Sequence, residues 1–131
     1  MARPEGTLTV AQHEIMLAIW SRGRLGATVA EVWKAISKSR QVARTTVLNQ
    51  IDRLESRGWL RRKEVDGGNR YTAAVSKARA SEALAGEFID DFFDGSASDL
   101  VMNLLGAKRL SPEDVDQLRK LLENEKGKRQ P

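Results

Sequence analysis

The sequence has 131 residues, of which 31% are charged and 40% hydrophobic, with no cysteine and a single histidine. This length and composition fit one globular domain, or a small domain with an appendage. The lack of cysteine excludes disulfides, thiolate metal sites and a cysteine nucleophile, and one histidine cannot build a multi-histidine metal site. No apolar run reaches the roughly 20 residues of a membrane helix, and the first residues lack a signal-peptide core. We therefore expect a cytoplasmic protein without a cofactor.

Charge is divided unevenly along the chain. Residues 1–80 carry 15 Lys and Arg against 7 Asp and Glu, whereas residues 81–131 carry 7 against 11. The two parts therefore have balances of +8 and −4, which together give the net charge of +4. A strongly basic half indicates a polyanionic partner, and the alternative is chance variation in a solvated surface.

Helix-start signals predict three helices in the first part of the chain. Thr9 with Gln12, and again Thr28 with Glu31, have the residue types and the spacing of a capping box. The third helix is predicted over residues 44–57, where a glycine follows as the natural end. Each helix has an apolar stripe at helical spacing, so the three are expected to pack around one core.

A β-hairpin is predicted after the third helix. Residues 59–65 and 70–73 form two short extended segments on either side of Asp66-Gly67-Gly68-Asn69, and we interpret them as a hairpin around a Gly-Gly turn. Three helices followed by a basic hairpin is the element order of a winged helix-turn-helix. We therefore predict a mainly α fold with a winged-helix DNA-binding domain over residues 1–75.

The remaining residues, 76–131, are predicted to form a helical dimerisation region. A long helix over residues 76–93 is followed by a short helix capped from Ser96 and by a last helix that starts at Ser111. Their apolar side chains exceed what three short helices can bury among themselves, which favours a partner chain; packing back onto the winged helix is the alternative. The residues predicted for the dimer interface are Leu84, Phe88, Phe92, Leu100, Leu104, Leu118, Leu121 and Leu122.

Candidate DNA-binding residues lie on the third helix and the hairpin. Opposite its apolar stripe, the helix carries small hydrogen-bonding side chains that can reach base edges and phosphates. The hairpin adds closely spaced cations for the DNA backbone. An ordinary solvated helix face beside a charged hairpin is the alternative. The predicted set is Thr28, Arg44, Thr45, Thr46, Leu48, Asn49, Arg53, Arg61, Arg62, Lys63 and Arg70.

Enzyme activity is not expected, because the sequence has no set of nucleophile, base and orienting group, no P-loop and no dinucleotide motif. Two other classes stay open beside a DNA-binding repressor. One is a winged helix that binds a protein, and the other is a regulator that senses a small molecule at its dimer helices.

Several short motifs carry a family resemblance that runs from about residue 8 to residue 123. They are Leu8-Thr9-x-Ala11, Ile15-Met16-x-x-Ile19-Trp20, Thr45-Thr46-Val47, Arg53-Leu54-Glu55-x-x-Gly58 and Tyr71. In these residues the sequence resembles the penicillinase-repressor family of bacterial winged-helix regulators, the BlaI/MecI/CopY group. The resemblance implies a homodimeric repressor whose winged helix binds inverted-repeat DNA and whose C-terminal helices dimerise.

The sequence departs from that family at informative positions. It lacks the cysteine-rich motif of the copper-responsive members, which excludes that sensing branch. Where the antibiotic-responsive branch has a charged residue that helps to read the operator, this chain has Leu48, which can contact only a thymine methyl. That branch is also inactivated by a regulatory protease, and the matching bond here is Asn103-Leu104. Cleavage there is one hypothesis, and a polar residue between core leucines is the other.

Overall fold

The computed structural model describes residues 4–129. Within them the chain forms six α-helices, one short 3₁₀ helix and one two-stranded sheet. The chain divides into two compact units, Met1–Ala85 and Gly86–Pro131, and the helix α4 runs through the division. The predicted domain boundary after residue 75 stays a prediction. In chain order the elements are α1 (Val10–Trp20), a 3₁₀ helix (Gly23–Leu25), α2 (Val29–Ser37), α3 (Arg44–Ser56), β1 (Leu60–Val65), β2 (Gly68–Ala73), α4 (Lys77–Phe92), α5 (Ala97–Gly106) and α6 (Pro112–Arg129).

Both predicted capping boxes are present. The Thr9 hydroxyl accepts from the Gln12 backbone N–H at 3.1 Å, and the Gln12 side chain accepts from the Thr9 backbone N–H at 3.1 Å. Thr28 and Glu31 make the same reciprocal pair at 3.1 and 2.9 Å. Each box satisfies two backbone donors that a helix start leaves without a partner, so it fixes where α1 and α2 begin.

One hydrophobic core holds the helices and the hairpin of the first unit together. Every predicted stripe contributes to it, and the single tyrosine and Trp59 seal it from the side of the hairpin. The predicted packing of three helices around a common core is therefore confirmed. The buried residues are Ile15, Met16, Ile19, Ala27, Val32, Ile36, Val47, Ile51, Leu54, Trp59, Leu60, Tyr71 and Ala80.

The hairpin is regular, and its second strand begins earlier than predicted. Strands β1 and β2 pair antiparallel from Leu60↔Ala73 to Val65↔Gly68, so only Asp66 and Gly67 connect them. The prediction that Gly67 and Gly68 form the turn is wrong, because Gly67 adopts a positive φ of 92° and the reversal is complete with Asp66 and Gly67. Gly68, which also has positive φ, is thereby available to pair.

The second unit contains the end of α4 together with α5 and α6, as the helix-start signals predict. The Ser96 hydroxyl accepts from the Asp99 backbone N–H at 3.2 Å and caps α5. Ser111 and Asp114 exchange hydrogen bonds of 3.0 and 3.1 Å at the start of α6. Between residues 86 and 128 no side chain is buried. This unit therefore lacks the closed core that the first unit has.

Candidate nucleic-acid interface

Helix α3 presents its first turn to solvent without a side-chain cap. Its N-cap is Ala43, which has no group to accept from the first backbone N–H groups. Arg44, Thr45 and Thr46 in the first turn are all exposed. Because the first N–H groups of a helix are unpaired and lie at the positive end of its dipole, this end is suited to bind an anion such as a phosphate.

The core fixes which face of α3 is exposed. Val47, Ile51 and Leu54 are 1% exposed or less, so the helix cannot rotate without opening the core. The opposite face carries Leu48, which is 39% exposed, and Asn49, which is exposed. The structure thus brings the predicted base-reading side chains to one accessible face.

A buried amide pair ties α3 to α1. The Gln12 side chain is 4% exposed and donates from Nε2 to Oε1 of Gln50 at 2.9 Å. Its own Oε1 accepts from Nη1 of Arg57 at 3.4 Å. Sequence reasoning assigned Gln12 to a capping box alone and missed this second contact. A polar residue on a buried helix stripe is the signal that could have revealed it.

The segment before α1 is fastened to the end of α3. The Arg57 side chain donates from Nε to the Glu5 carbonyl at 2.9 Å, and the Trp59 indole donates to the same oxygen at 3.1 Å. The Glu5 backbone N–H returns a bond to the Arg57 carbonyl at 2.8 Å. These contacts were not predicted from the sequence. They hold the C-terminal end of α3 while its N-terminal end stays open.

Cations line the hairpin, the wing of the fold. Arg61, Arg62 and Lys63 are exposed, and Arg62 lies 3.6 Å from the Glu55 carboxylate. In the described part of the chain, no ion pair involves Lys63. The same holds for two exposed arginines on α3, Arg44 and Arg53. The first unit therefore offers cations to a polyanion on both α3 and the wing.

Two of the predicted DNA-binding residues have roles inside the protein. Thr28 caps α2, and its hydroxyl accepts from the Glu31 backbone N–H. Arg70 donates from Nη1 to the Glu31 carboxylate at 3.0 Å and to the Gly26 carbonyl at 3.2 Å. Only 27% of the Arg70 side chain is exposed. The capping role of Thr28 was predicted from the sequence, whereas the internal contacts of Arg70 were not. Contact of either residue with DNA stays a prediction.

Local contacts shift the titration of two side chains near the wing. The pKa of Glu31 is lowered from its ordinary value, chiefly by the hydrogen bond from the Thr28 backbone and then by the charges of Arg22 and Arg70, against the cost of burial. The pKa of Tyr71 is raised, chiefly because burial disfavours the phenolate. Glu31 is therefore ionised at neutral pH, and Tyr71 is neutral.

The second unit exposes many of its apolar side chains. Phe88 is 47% exposed, Phe92 72% and Leu122 69%, and Leu118 and Leu121 are also exposed. Leu100 and Leu104 are half-buried, and so is Leu84 near the end of the first unit. The bond between Asn103 and Leu104 lies inside α5, where the Asn103 amide donates to the Asp99 carbonyl at 2.8 Å.

A three-helix core with an exposed third helix and a basic wing defines a winged-helix DNA-binding transcription regulator. The family model described as Penicillinase repressor matches residues 8–124, and the chain belongs to this family. It is 26% identical over 119 residues to the penicillinase repressor of Bacillus licheniformis, covering 91% of each chain. It is 24% identical to the methicillin resistance regulatory protein MecI of Mammaliicoccus sciuri, covering 88% of this chain and 92% of that one.

Structural comparison supports the same fold. The oxidised form of MarR from E. coli matches with a TM-score of 0.51 at 25% identity, covering 89% of this chain and 74% of that one. The resemblance predicted from the sequence and the winged-helix fold are both confirmed. Among residues 4–129, no helix combines the length and apolar content of a membrane span.

Proposed function

We propose that the protein is a homodimeric repressor that occupies an inverted-repeat operator. The observation that carries this proposal is the exposed, uncapped first turn of α3 beside a basic wing. In this arrangement α3 enters the major groove and the wing follows the adjacent backbone. Repression follows from occupying promoter DNA and requires no chemistry by the protein.

The exposed side chains of α3 divide into two roles. Thr45, Thr46 and Asn49 are short and can hydrogen-bond to base edges, which distinguishes sequences. Leu48 adds an apolar contact that suits the methyl group of thymine. The cations of α3 and the wing bind phosphates, which supplies affinity for every sequence. These cations are Arg44, Arg53, Arg61, Arg62 and Lys63.

Exposed apolar side chains in the second unit support dimerisation. Phe92 and Leu122 are about 70% exposed, and no side chain between residues 86 and 128 is buried in the single chain. Exposed apolar area of this kind is stabilised when a second copy covers it. A two-fold dimer would place two α3 helices in successive major grooves, about 34 Å apart. That spacing predicts an operator with two inverted half-sites.

The proposal is tested by selecting sheared genomic DNA on the purified protein at about 150 mM salt and sequencing the bound fragments. Enrichment of a few promoter fragments that share an inverted repeat supports it. Uniform recovery would mean that the protein binds only the DNA backbone, and no recovery would favour a protein partner. If the dimer neutralises six to ten phosphates, affinity should fall roughly 10³–10⁵-fold between 50 and 200 mM salt.

Point variants separate base reading from phosphate binding. Asn49→Ala should weaken binding to the selected operator and relax its preference at one base position. Lys63→Ala should weaken binding to all duplexes and reduce the salt slope by about one. Lys120→Ala, which removes an exposed lysine of α6, is the control and should change neither. An equal loss for Lys63→Ala and Lys120→Ala would contradict the role of the wing.

The dimer is tested by measuring mass in solution. The single chain has a mass of 14.6 kDa, so the wild type should elute with twice this mass. Leu122→Glu places a charge among the exposed apolar side chains and should yield the monomer. Lys120→Glu adds the same carboxylate on the polar face of α6 and should leave the dimer intact. A monomeric wild type at micromolar concentration would refute the dimer.

Relief of repression is proposed to follow cleavage of the Asn103-Leu104 bond by a regulatory protease. The bond lies within α5, so α5 must open locally before a protease can bind it as an extended strand. Immunoblots of induced cells should then show a fragment that ends at Asn103. Asn103→Asp, which replaces the residue on the N-terminal side of the bond, should block the cut. An uncut chain under inducing conditions would refute this route.

A further inference from the structure

One carboxylate, that of Glu31, connects three separate parts of the first unit. Its Oε1 accepts from the Thr28 backbone N–H at 2.9 Å and from Nη1 of Arg70 at 3.0 Å. Its Oε2 lies 2.8 Å from Nη1 of Arg22. We call Arg22, Glu31 and Arg70 the Glu31 cluster. It joins the start of α2, the turn after α1 and strand β2 of the wing.

The Glu31 cluster lies where the wing is fastened to the helices. Nη1 of Arg70 also donates to the Gly26 carbonyl at 3.2 Å. Next to it, Ala27 and Tyr71 exchange two backbone hydrogen bonds of 3.0 and 2.8 Å. The free edge of β2 is thus bound to the segment that precedes α2. A two-stranded hairpin alone is only marginally stable, so these contacts hold the wing together with the burial of Leu60 and Tyr71 in the core.

The negative charge of Glu31 also compensates a cation of the wing, that of Arg70. Lys63 on β1 is paired directly with Arg70 on β2, and directly paired residues of an antiparallel ladder share one face. Like charges in such a pair repel each other and destabilise the sheet. The Glu31 carboxylate compensates the charge of Arg70 at 3.0 Å, which leaves Lys63 as the uncompensated cation of the pair. Without the Glu31 carboxylate, repulsion between Lys63 and Arg70 would destabilise the wing.

We propose that Glu31 is a positioning residue for DNA recognition, which anchors Arg70 so that the wing keeps one orientation beside α3 and discriminates operator from other DNA. This inference rests on the proposed function. A fixed wing restricts the register in which its cations meet phosphates, and so only sequences that also suit α3 bind tightly. A loosened wing still binds phosphates but accepts more registers. The lowered pKa of Glu31 agrees with a carboxylate that stays charged at neutral pH.

Glu31→Gln removes the negative charge of residue 31 but keeps a side chain that can cap α2. Glutamine serves equally at this capping-box position, and Gln12 fills it in α1 of the same chain. Glu14→Gln is the matched control, because Glu14 is also paired with arginine, here with Arg40 alone at 2.8 Å, and has similar exposure, 32% against 27%. That pair, with Arg40, joins α1 to the residues after α2 and does not involve the wing.

Two measurements test the proposal. The first is amide hydrogen exchange of the DNA-free protein, which needs no operator. Wing amides of Glu31→Gln should exchange at least about 5-fold faster, while α1 amides and those of Glu14→Gln keep the wild-type rates. Equal wing exchange in wild type and Glu31→Gln would overturn the anchoring role.

The second measurement compares affinity for the most enriched duplex from the genomic selection with affinity for a random duplex of equal length. Glu31→Gln should lower the ratio of the two affinities about 10-fold, and Glu14→Gln less than 2-fold. Because Glu31 acts by anchoring Arg70, the double variant Glu31→Gln with Arg70→Gln should lower the ratio of affinities no more than either single variant does. An unchanged ratio, or two additive losses, would overturn the proposal. If the wild type does not discriminate between the duplexes, the proposed function fails, and hydrogen exchange alone decides whether Glu31 anchors the wing.

Discussion

Replacement of Gly26 by alanine should disrupt the attachment of the wing. Gly26 has φ +70° and ψ −170°, a region that is essentially restricted to glycine and costs another residue about 1–3 kcal/mol. An added Cβ would lie 2.6 Å from the Tyr71 carbonyl oxygen and 2.9 Å from Cγ2 of Thr72. The first of these atoms is backbone and accepts the bridge bond from Ala27. The new methyl group therefore has to push β2 away.

The two bridge hydrogen bonds contribute about 1 kcal/mol each, so we expect Gly26→Ala to lose about 3–5 kcal/mol of unfolding free energy in total. Gly23→Ala is the control. Gly23 also has a positive φ, +58°, but a Cβ there meets nothing within 4 Å, so only a backbone cost of about 1–2 kcal/mol applies.

Urea unfolding followed by tryptophan fluorescence measures this difference. All three tryptophans, Trp20, Trp33 and Trp59, belong to the first unit, so the signal reports on the winged helix. The variant at residue 26 should unfold at a clearly lower urea concentration than the variant at residue 23. Equal losses in the two variants would refute the reasoning, because they would show that the close approach to β2 contributes nothing.

Other variants and pH titrations give further expectations. Leu54→Ala should lower the free energy of unfolding by about 2.5–5 kcal/mol, because Leu54 is fully buried. Leu48→Ala should lower it by less than about 1 kcal/mol, because Leu48 is 39% exposed. Urea unfolding of both variants checks this difference. Tyr71 is the only tyrosine, so its phenolate absorbance should appear above pH 10.0, and stability should fall as pH rises through the raised pKa. The pKa of Glu31 is lowered in the folded state, so the charge of Glu31 stabilises the fold at pH values above its ordinary pKa of 4.5. This stabilisation is lost as pH falls through the lowered pKa. The difference in stability between wild type and Glu31→Gln should therefore be constant near neutrality and disappear at strongly acidic pH.

Local signals in the sequence were sufficient for the elements of the fold. The capping boxes at Thr9 and Thr28 depend on residues three positions apart, and the apolar stripes depend on helical periodicity, so both can be read without knowing the fold. The start of the second strand, however, lies two residues earlier than predicted. Two consecutive glycines permit several turn geometries, and only the pairing of Val65 with Gly68 selects one of them.

The contacts that hold the candidate interface were not predictable in this way. Arg70 was expected to bind phosphate because it is a cation in the wing, yet its side chain bonds to Glu31, which is 39 residues away in the sequence. The pair of Gln12 and Gln50 spans 38 residues in the same manner. Which cation faces solvent and which faces a carboxylate depends on the packing of distant elements, and one sequence does not encode that packing in any local pattern.

The attachment of the wing also sets the order in which parts of the first unit can form during synthesis. The bond between Arg70 and the Gly26 carbonyl closes a separation of 44 residues, so it forms only after the whole of α2, α3 and β1 has been synthesised. The contacts among α1, α2 and α3, such as that of Gln12 with Gln50, need only residues up to the end of α3 and can form earlier. A chain leaving the ribosome therefore has a complete α3 before it has a docked wing. Under the proposed function, the selectivity attributed to the anchored wing would come only after β2 has been synthesised and docked.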